Sequence, residues 1–294
     1  MAAKVEAART FWRARAKVNL YLHVLGRDLQ GWHGLDSLVA FAGCSDWLSF
    51  APGSELSLSV NGPSAAAAGA EAQNLVLRAA LALGERVDKL RYGHFQLTKY
   101  LPVAAGLGGG SADAAAALRA LAHANGLSAL DPRVVAAAIA CGADVAVCLA
   151  PTMRLMRGRG EQVGPALSAP PLIAVLVNPG VGVSTPGVFA ALALPLGAPT
   201  ARQPLPPPAN NAAEFRHSLQ TAGNDLQRPA LQLAPEIAGA LGALADQPGA
   251  WLARMSGSGA TCFALLDTRA QALAAAGAIG RAHPHWWVRA TILR

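Results

Sequence analysis

Polar and apolar residues follow both strand and helix periods along this chain. From Lys17 to Leu25 they alternate roughly with a period of two, which predicts a strand. Further strands are expected at 35–50, 55–60, 94–101, 172–177 and 286–293. Helices are expected at 74–83, 111–124, 131–141 and 269–281. Because strands and helices mix without a regular βαβ repeat, the pattern predicts an α+β fold rather than a doubly wound α/β sheet.

Turn residues separate these elements. Gly84 is expected to stop the first helix, and Asn125-Gly126 the second. Asp131-Pro132 starts the third helix, with Asp131 as the N-cap. Residues 26–34 are turn-rich, and 253–266 read as a glycine-rich loop between strand-like segments.

One long stretch, from Gln162 to Ala201, contains no charged residue and no histidine. Seven prolines cut it into pieces shorter than the roughly 20 apolar residues that a membrane span needs. We therefore expect buried core here and no membrane association. The Pro-rich segment 195–211 is predicted to be an extended surface loop.

Length and composition narrow the class of protein. The 294 residues predict two domains, because a domain averages roughly 150 residues. Hydrophobic residues make up 53% and charged residues 14%, which excludes a disordered or coiled-coil chain. The four cysteines form no Cys-x-x-Cys pair, so neither a zinc site nor a disulfide framework is expected. A reduced, cytoplasmic protein is predicted.

The net charge of +7 fits either nucleic acid or a phosphorylated small molecule. Basic residues cluster near the start of the chain, at Lys4, Arg9, Arg13, Arg15 and Lys17. No basic stripe interleaved with aromatic residues continues beyond them, so nucleic-acid binding lacks its usual second feature. A solvated basic terminus is the favoured interpretation.

The strongest local motif is the glycine-rich segment Pro102–Asp113, which precedes a predicted helix. Glycine lets backbone amides approach a ligand closely, and a helix N-terminus favours anions. Phosphate binding is the functional interpretation, and a plain glycine-rich connector is the alternative. No lysine stands where a Walker A loop needs one, and Ser111 stands where a Gly-x-Gly-x-x-Gly fingerprint needs its last glycine. Both of these phosphate-binding motifs are therefore excluded.

The remaining pattern, Pro-x-x-x-Gly-Leu-Gly-x-x-Ser-Ala, resembles the GHMP family of small-molecule kinases. The resemblance extends over almost the whole chain through motifs that occur in the same order. They are Ala16-Lys17-Val18-Asn19-Leu20, Gly31-Trp32-His33, Gln73-Asn74-Leu75-Val76, Lys99-Tyr100-Leu101-Pro102, Gly142-Ala143-Asp144-Val145, Asn178-Pro179-Gly180, Thr185-Pro186, Gly223-Asn224-Asp225-Leu226 and Met255-Ser256-Gly257-Ser258-Gly259-Ala260.

This resemblance implies a two-domain α+β kinase fold with the ATP and acceptor sites in the cleft between the domains. The implied bounds are 1–160 for the N-terminal, ATP-binding domain and 161–294 for the C-terminal domain on the acceptor side. It implies that ATP, with Mg²⁺, phosphorylates the 2-hydroxyl of the methylerythritol unit in a cytidine diphosphate conjugate. That reaction belongs to the non-mevalonate route to isoprenoid precursors. The expected partners are these small molecules, without nucleic acid, and the expected state is a monomer or weak homodimer.

The resemblance also implies roles for individual residues. Lys17 and Asp144 match the catalytic pair: Asp144 accepts the hydroxyl proton, and Lys17 keeps that carboxylate ionised and polarises the hydroxyl. Judged on the residues alone, Lys17 could be a surface lysine and Asp144 a helix cap. ATP-binding positions are Asn74, Lys99, Pro102, Gly106, Leu107, Gly108, Gly109, Gly110 and Ser111. Ser111 is also a candidate Mg²⁺ contact, and Asn74 has the alternative role of N-cap.

Acceptor-binding positions implied by the resemblance are Asn19, Trp32, His33, Thr185, Pro186 and Phe189. His33 matches a residue that recognises cytosine, with Trp32 or Phe189 supplying an aromatic face. Trp32 stands where a tyrosine is usual, and Val145–Cys148 departs from the more familiar Val-Pro-x-Phe. The Ser256–Gly259 stretch is either a tight hairpin or a loop that orders the phosphate loop or the acceptor.

Overall fold

The computed structural model describes residues 9–69, 73–199, 202–205 and 211–294. Lys4 and the central part of the Pro-rich segment lie outside these residues. The described strands are β1 Thr10–Arg27, β2 His33–Pro52, β3 Ser57–Asn61, β4 Gly93–Thr98, β5 Arg154–Gly158, β6 Gln162–Ala166, β7 Leu172–Asn178, β8 Ala250–Met255, β9 Cys262–Leu266 and β10 Trp287–Leu293. The described helices are α1 Leu75–Gly84, α2 Gly109–Ala124, α3 Pro132–Cys141, α4 Ala143–Cys148, α5 Thr185–Ala191, α6 Ala212–Thr221, α7 Gln227–Leu233, α8 Glu236–Ala245 and α9 Arg269–Ala282. Strands and helices are mixed as predicted, so the α+β class is confirmed.

Several predicted boundaries are wrong for identifiable reasons. Helix α2 begins at Gly109 instead of Ser111, so two glycines of the loop form its first turn. Strand β4 ends at Thr98 instead of residue 101, because Asp46 takes the amides of Tyr100 and Leu101 away from the sheet ladder. Helices α4 to α8 were not predicted, since most are short. In α5, Pro186 occupies the first turn, where a proline is tolerated.

The described residues form two compact units that are interleaved along the chain. The first unit takes its residues from Met1–Arg15, Ser45–Val103 and Gly109–Ala150. The second takes them from Ala16–Cys44, Ala104–Gly108 and Pro151–Arg294. The division at residue 160, and the placement of the sites in a cleft between domains, stay predictions.

In the first unit, β4 pairs in parallel with β3 and antiparallel with the Trp47–Pro52 part of β2. Phe50 and Phe95 are fully buried in this sheet, with ring centroids 4.7 Å apart. Helix α2 is buried along most of its length and packs against α1, α3 and α4. Its alanines have no long side chains, so neighbouring helices approach closely.

In the second unit, β7 pairs antiparallel with β10 on one side and with β9 on the other, and β8 follows β9. Helices α8 and α9 contact these strands and complete an apolar core. Most of β7, the centre of the uncharged stretch, is buried as predicted. None of the helices in the described ranges has the length and apolar character that a membrane span requires.

Candidate active site

Lys17 and Asn19 lie on β1 in the second unit and are both buried. The Lys17 Nζ donates a hydrogen bond to Asn19 Oδ1 at 2.9 Å, and Asn19 Nδ2 donates to Ser37 Oγ at 2.8 Å. Only 4% of Lys17 is exposed, so the alternative of a solvated surface lysine is wrong. The ammonium is held in one orientation by an amide that is itself anchored to β2.

The Ser256–Gly259 loop connects this pair to the glycine-rich loop. Ser256 Oγ accepts the backbone N–H of Asn19 at 3.1 Å and donates to the carbonyl of Gly106 at 2.9 Å. The backbone N–H of Lys17 donates to the carbonyl of Leu107 at 2.8 Å. The loop is therefore more than a hairpin between β8 and β9: it orders one part of the glycine-rich loop against β1.

Two glycines are required by this close packing. Gly106 has a φ of 71°, and a Cβ there would lie 2.4 Å from the Ser256 carbonyl oxygen. Gly257 has a φ of 57°, and its Cβ would lie 3.2 Å from Asn19 Oδ1. A residue other than glycine at either position would strain the backbone at a positive φ, and its Cβ would lie too close to Ser256 or Asn19.

Thr185 and Pro186 lie in the first turn of α5, whose N-cap is Ser184. The hydroxyls of Thr185 and Ser258 are 2.7 Å apart and share a hydrogen bond. The Ser256–Gly259 loop thus touches the predicted acceptor residue Thr185 as well as Asn19 and Gly106. The sequence motif offered an ordering role for this loop, but it did not single out the hydroxyl groups of Ser256 and Ser258 that make the contacts.

His33 and Phe189 form an aromatic pair, with ring centroids 4.8 Å apart and an interplanar angle of 33°. The Nε2 atom of His33 is buried and has no hydrogen-bond partner among the described residues. Burial, and next the positive charge of Arg27, lower the pKa of His33 below its ordinary 6.5, while Asp28 acts in the opposite direction. A neutral imidazole with an unused ring nitrogen is suited to the polar edge of a base.

Trp32, beside His33, remains 54% exposed. The Arg159 guanidinium lies over the indole, 4.8 Å from the ring centroid. Arg159 also donates to Asp28 Oδ2 and Gln30 Oε1, each at 3.0 Å. Arg159 therefore orients the exposed aromatic face at the end of β1, a role that the sequence motifs did not reveal.

The predicted ATP-binding residues divide between the units. Asn74, Lys99, Pro102, Gly109, Gly110 and Ser111 belong to the first, and Gly106, Leu107 and Gly108 to the second. Gly109, Gly110 and Ser111 are the first three residues of α2. Amide groups in the first turn of a helix have no helical acceptor, and together with the helix dipole they attract anions. This helix start can therefore bind phosphate.

Asn74 and Lys99 are both engaged within the first unit. Asn74 is the N-cap of α1, where its side chain accepts the Val76 N–H at 3.0 Å. Lys99 Nζ donates to Asp46 Oδ2 at 2.5 Å and to Asp113 Oδ2 at 2.6 Å. Sequence reasoning missed both aspartates. The available signal was an acidic residue in a largely apolar strand and another in an alanine-rich helix, because a buried charge needs a partner.

Asp144 lies in the first turn of α4 in the first unit, whereas Lys17 belongs to the second. The N-cap of α4 is Gly142, so Asp144 is not the helix cap that its surroundings allowed. The partial positive charge at the start of a helix favours an acidic residue in the first turn. Asp144 is partly buried there.

Comparison with known proteins identifies the family. The model of the GHMP kinases N-terminal domain matches residues 74–151, and the GHMP kinases C-terminal model matches 206–285. The chain belongs to the GHMP kinase family. A relative from Methylobacterium radiotolerans, named 4-diphosphocytidyl-2-C-methyl-D-erythritol kinase, is 55% identical over 285 residues, covering 96% of this chain and 98% of the relative.

Solved GHMP kinase structures show the same fold. A crystal structure of 4-(cytidine 5'-diphospho)-2C-methyl-D-erythritol kinase has a TM-score of 0.76 and 33% identity, covering 97% of this chain and 99% of that one. A homoserine kinase from Cytophaga hutchinsonii has a TM-score of 0.70 at 17% identity, covering 100% and 96%. The second likeness shows the fold alone. The predicted two-domain GHMP kinase fold is confirmed at the level of the family.

Proposed function

We propose that this GHMP kinase transfers the γ-phosphoryl group of ATP to the 2-hydroxyl of 4-diphosphocytidyl-2-C-methyl-D-erythritol. One observation carries the proposal: Ser256 hydrogen-bonds both Asn19, a predicted acceptor residue, and Gly106 of the glycine-rich loop. Phosphoryl transfer depends mainly on positioning and on charge stabilisation. A shared hydrogen-bond network holding acceptor-side and phosphate-side residues supplies that positioning. The names of the relatives support the choice of acceptor.

Asp144 and Lys17 keep their implied catalytic roles in this proposal. Asp144 accepts the proton of the 2-hydroxyl as its oxygen attacks the γ-phosphorus, and the bond from phosphorus to the β,γ-bridging oxygen breaks. Lys17 supplies the positive charge that favours the ionised carboxylate and polarises the hydroxyl. Its hydrogen bond to Asn19 orients the ammonium before the substrate binds. Ordering of the Lys17 side chain therefore contributes less to the activation free energy.

ATP is held through its phosphates. The amides at Gly109, Gly110 and Ser111 bind them at the start of α2, and the Gly106–Gly108 segment contributes further backbone N–H groups. Among the described residues, no group of three or more His, Cys, Asp or Glu side chains could hold a metal ion. We propose that Ser111 Oγ would be a protein ligand of Mg²⁺, a cation that needs few protein ligands because it usually keeps several waters and binds substrate phosphates. When bound, Mg²⁺ would supply positive charge beside the ATP phosphates.

His33 and Phe189 form the cytosine subsite in this proposal. The Nε2 atom of His33, which has no partner in the described part of the chain, hydrogen-bonds the polar edge of the base. Phe189 and Trp32 offer aromatic faces. Thr185 and Pro186 border the acceptor beside the Ser256–Gly259 loop. Because the second unit holds both a base-binding pair and the Asn19 network, it accounts for an acceptor that carries a nucleotide.

The proposed reaction places the protein in the non-mevalonate route to isoprenoid precursors. We propose a cytoplasmic location, which fits four cysteines that form no disulfide. We also propose a monomer or weak homodimer that binds small molecules and no nucleic acid.

A product assay tests the proposal directly. The purified chain is offered ATP and Mg²⁺ with the cytidine diphosphate methylerythritol conjugate, mevalonate or homoserine in parallel reactions. We expect phosphorylation of the first acceptor, with kcat/KM at least about 100-fold above the other two, because a hydrogen-bonding base subsite is worth several kcal/mol. Turnover of mevalonate or homoserine without turnover of the conjugate contradicts the proposal.

The Asp144→Asn variant tests the catalytic base in the same assay. We expect kcat to fall by about 10²- to 10⁴-fold, the usual contribution of a positioned base, with ATP binding retained. Asp131→Asn is the matched control, since Asp131 caps α3 and pairs with the partly exposed Arg133. A near-normal kcat in Asp144→Asn would remove this residue from the mechanism.

A further inference from the structure

The first unit contains a buried group of three charges that the proposed chemistry does not use. Lys99 donates to Asp46 at 2.5 Å and to Asp113 at 2.6 Å. Asp46 is fully buried, and Asp113 and Lys99 are 2% and 4% exposed. With so little exposure, the Lys99 ammonium is occupied by carboxylates of its own chain.

These three residues hold the chain on both sides of the glycine-rich loop. Lys99 directly follows β4, and Asp113 lies in α2, four residues after its first residue, Gly109. Asp46 Oδ1 also accepts the backbone N–H groups of Tyr100 and Leu101, at 2.5 and 2.8 Å. One carboxylate of β2 therefore fixes the three residues that precede Pro102.

The helix start lies directly on the same group. A Cβ placed on Gly109 would be 3.6 Å from Lys99 Nζ and 3.8 Å from Asp46 Oδ2. Gly109, the first residue proposed to bind phosphate through its amide, therefore lies next to the ion pairs with no side chain between them. A change in the Lys99 side chain would be passed to the first turn of α2 without any intervening residue.

The arrangement of charges in this group does not favour the stability of the folded state. Two carboxylates share one ammonium, and Asp113 Oδ1 is buried without a hydrogen-bond partner among the described residues. Burial alone would lower the pKa of Lys99, but Asp113 and Asp46 outweigh it and raise it. Apolar residues of similar volume commonly stabilise a core as well as a buried ion pair does.

We propose that Asp46, Lys99 and Asp113 form a positioning clamp that sets ATP affinity by holding the segments on both sides of the glycine-rich loop. Lys99 then acts through the loop backbone, and its ammonium makes no direct contact with the nucleotide. The inference rests on the proposed function only in taking ATP as the donor. A direct contact would instead require Lys99 to release two buried carboxylates, a costly exchange.

Substitutions at Asp113 separate the clamp from direct contact. Asp113→Leu removes the carboxylate while Lys99 keeps Asp46, and Asp113→Asn keeps an oxygen that accepts from Lys99. Binding of the analogue ATPγS with Mg²⁺ is measured by calorimetry, together with the melting temperature and the acceptor KM. We expect Asp113→Leu to weaken ATPγS binding at least about tenfold, and Asp113→Asn to stay within about threefold of the parent. The acceptor KM stays within about twofold. Unchanged ATPγS affinity in a folded Asp113→Leu variant overturns the clamp.

Lys99→Met gives the second arm, with Lys89→Met as its control because Lys89 is exposed in the same unit. If Lys99→Met alone fails to fold, the Lys99→Met/Asp113→Leu double variant replaces the ion pair by apolar side chains. We expect it to recover the melting temperature while ATPγS binding stays at least about tenfold weaker. Recovery of both quantities shows a purely structural role and overturns the proposal. Since ATPγS binding needs no acceptor, failure of the product assay would leave this result interpretable.

Discussion

At the scale of single residues, burial decides what each polar side chain can do. Arg254 illustrates this point: it is 6% exposed and donates to the backbone carbonyls of Leu20, Leu219 and Ala222. Burial lowers its pKa to about 10, so it remains charged at neutral pH. It therefore connects β1 to the end of α6 by hydrogen bonds and takes no part in the proposed chemistry. Lys17 is as buried as Arg254, but its partner is the side chain of a predicted acceptor residue.

His33 carries a prediction about acceptor recognition. In His33→Phe the stacking on Phe189 is kept and Nε2 is lost, so we expect the acceptor KM to rise about tenfold, the equivalent of ~1.4 kcal/mol. The KM for ATP stays unchanged. The measurement is steady-state kinetics with each substrate varied in turn. His217→Phe, on the exposed side of α6, serves as the control. An unaltered acceptor KM in His33→Phe would contradict the cytosine role.

The lowered pKa of His33 also leads to a prediction about how the free energy of unfolding depends on pH. Since burial lowers the pKa of His33 in the folded chain, the unfolded chain takes up its proton at a higher pH, near 6.5. The contribution of neutral His33 to stability is therefore complete above pH 6.5 and declines as the pH falls toward the folded-state pKa. Urea unfolding at pH 7.5 and 5.5 should show a smaller pH effect in His33→Phe than in the parent chain. An equal effect in both would place the titration elsewhere.

At the scale of elements, glycines and caps determine where the loops meet the helices. The predicted phosphate loop contributes two glycines to α2, and Asp46 shortens β4 by taking two amides. Periodicity located α2 and β4 but missed these ends, because helix and strand ends depend on residues distant in sequence. Asp46 is more than 50 residues from Leu101 and could not be assigned from a local pattern.

The position of Asn74 as the N-cap of α1 leads to a prediction about the free energy of unfolding. Asn74→Ala leaves the Val76 N–H without its side-chain acceptor and should lower the free energy of unfolding by about 1 kcal/mol. Asn74→Ser retains a capping oxygen and should stay within a few tenths of a kcal/mol of the parent. Urea denaturation measures both. Equal losses in the two variants would show that the cap is not the source, and the ATP KM of Asn74→Ser reports separately on nucleotide contact.

At the scale of the whole molecule, the charge of +7 raises the question of partners. Some of the basic side chains are engaged by carboxylates within the described residues. Arg157, for example, binds Asp36 at 2.8 Å, and Arg216 binds Asp267 at 2.7 Å. These guanidinium groups are less available to the phosphates of a polyanion, although the net charge of the chain is unchanged by the pairing.

Nucleic-acid binding can be tested on this basis. At about 150 mM salt we expect labelled single- and double-stranded oligonucleotides to bind no tighter than about 100 µM, the weak end of nonspecific binding. Fluorescence anisotropy, run beside the kinase assay on the same sample, makes the measurement. Tight, salt-sensitive binding by a sample without ATP turnover would reverse the interpretation of the charge.

The GHMP resemblance, the α+β class and the four helices α1, α2, α3 and α9 followed from the order of residues alone. Glycine spacing, caps and hydrophobic periods act within a few residues of the chain, so they can be identified without knowledge of the tertiary structure. The motifs also singled out Lys17, Asn19, His33 and Thr185.

What these residues touch was decided by tertiary structure. The Ser256 bridge, the His33–Phe189 pair and the Asp46–Lys99–Asp113 group join segments separated by many residues. Hydrogen-bond partners and burial depend on which segments the fold brings within about 3 Å, a distance that local spacing does not encode. For that reason Lys99, a predicted nucleotide contact, has two carboxylate partners that only the fold revealed.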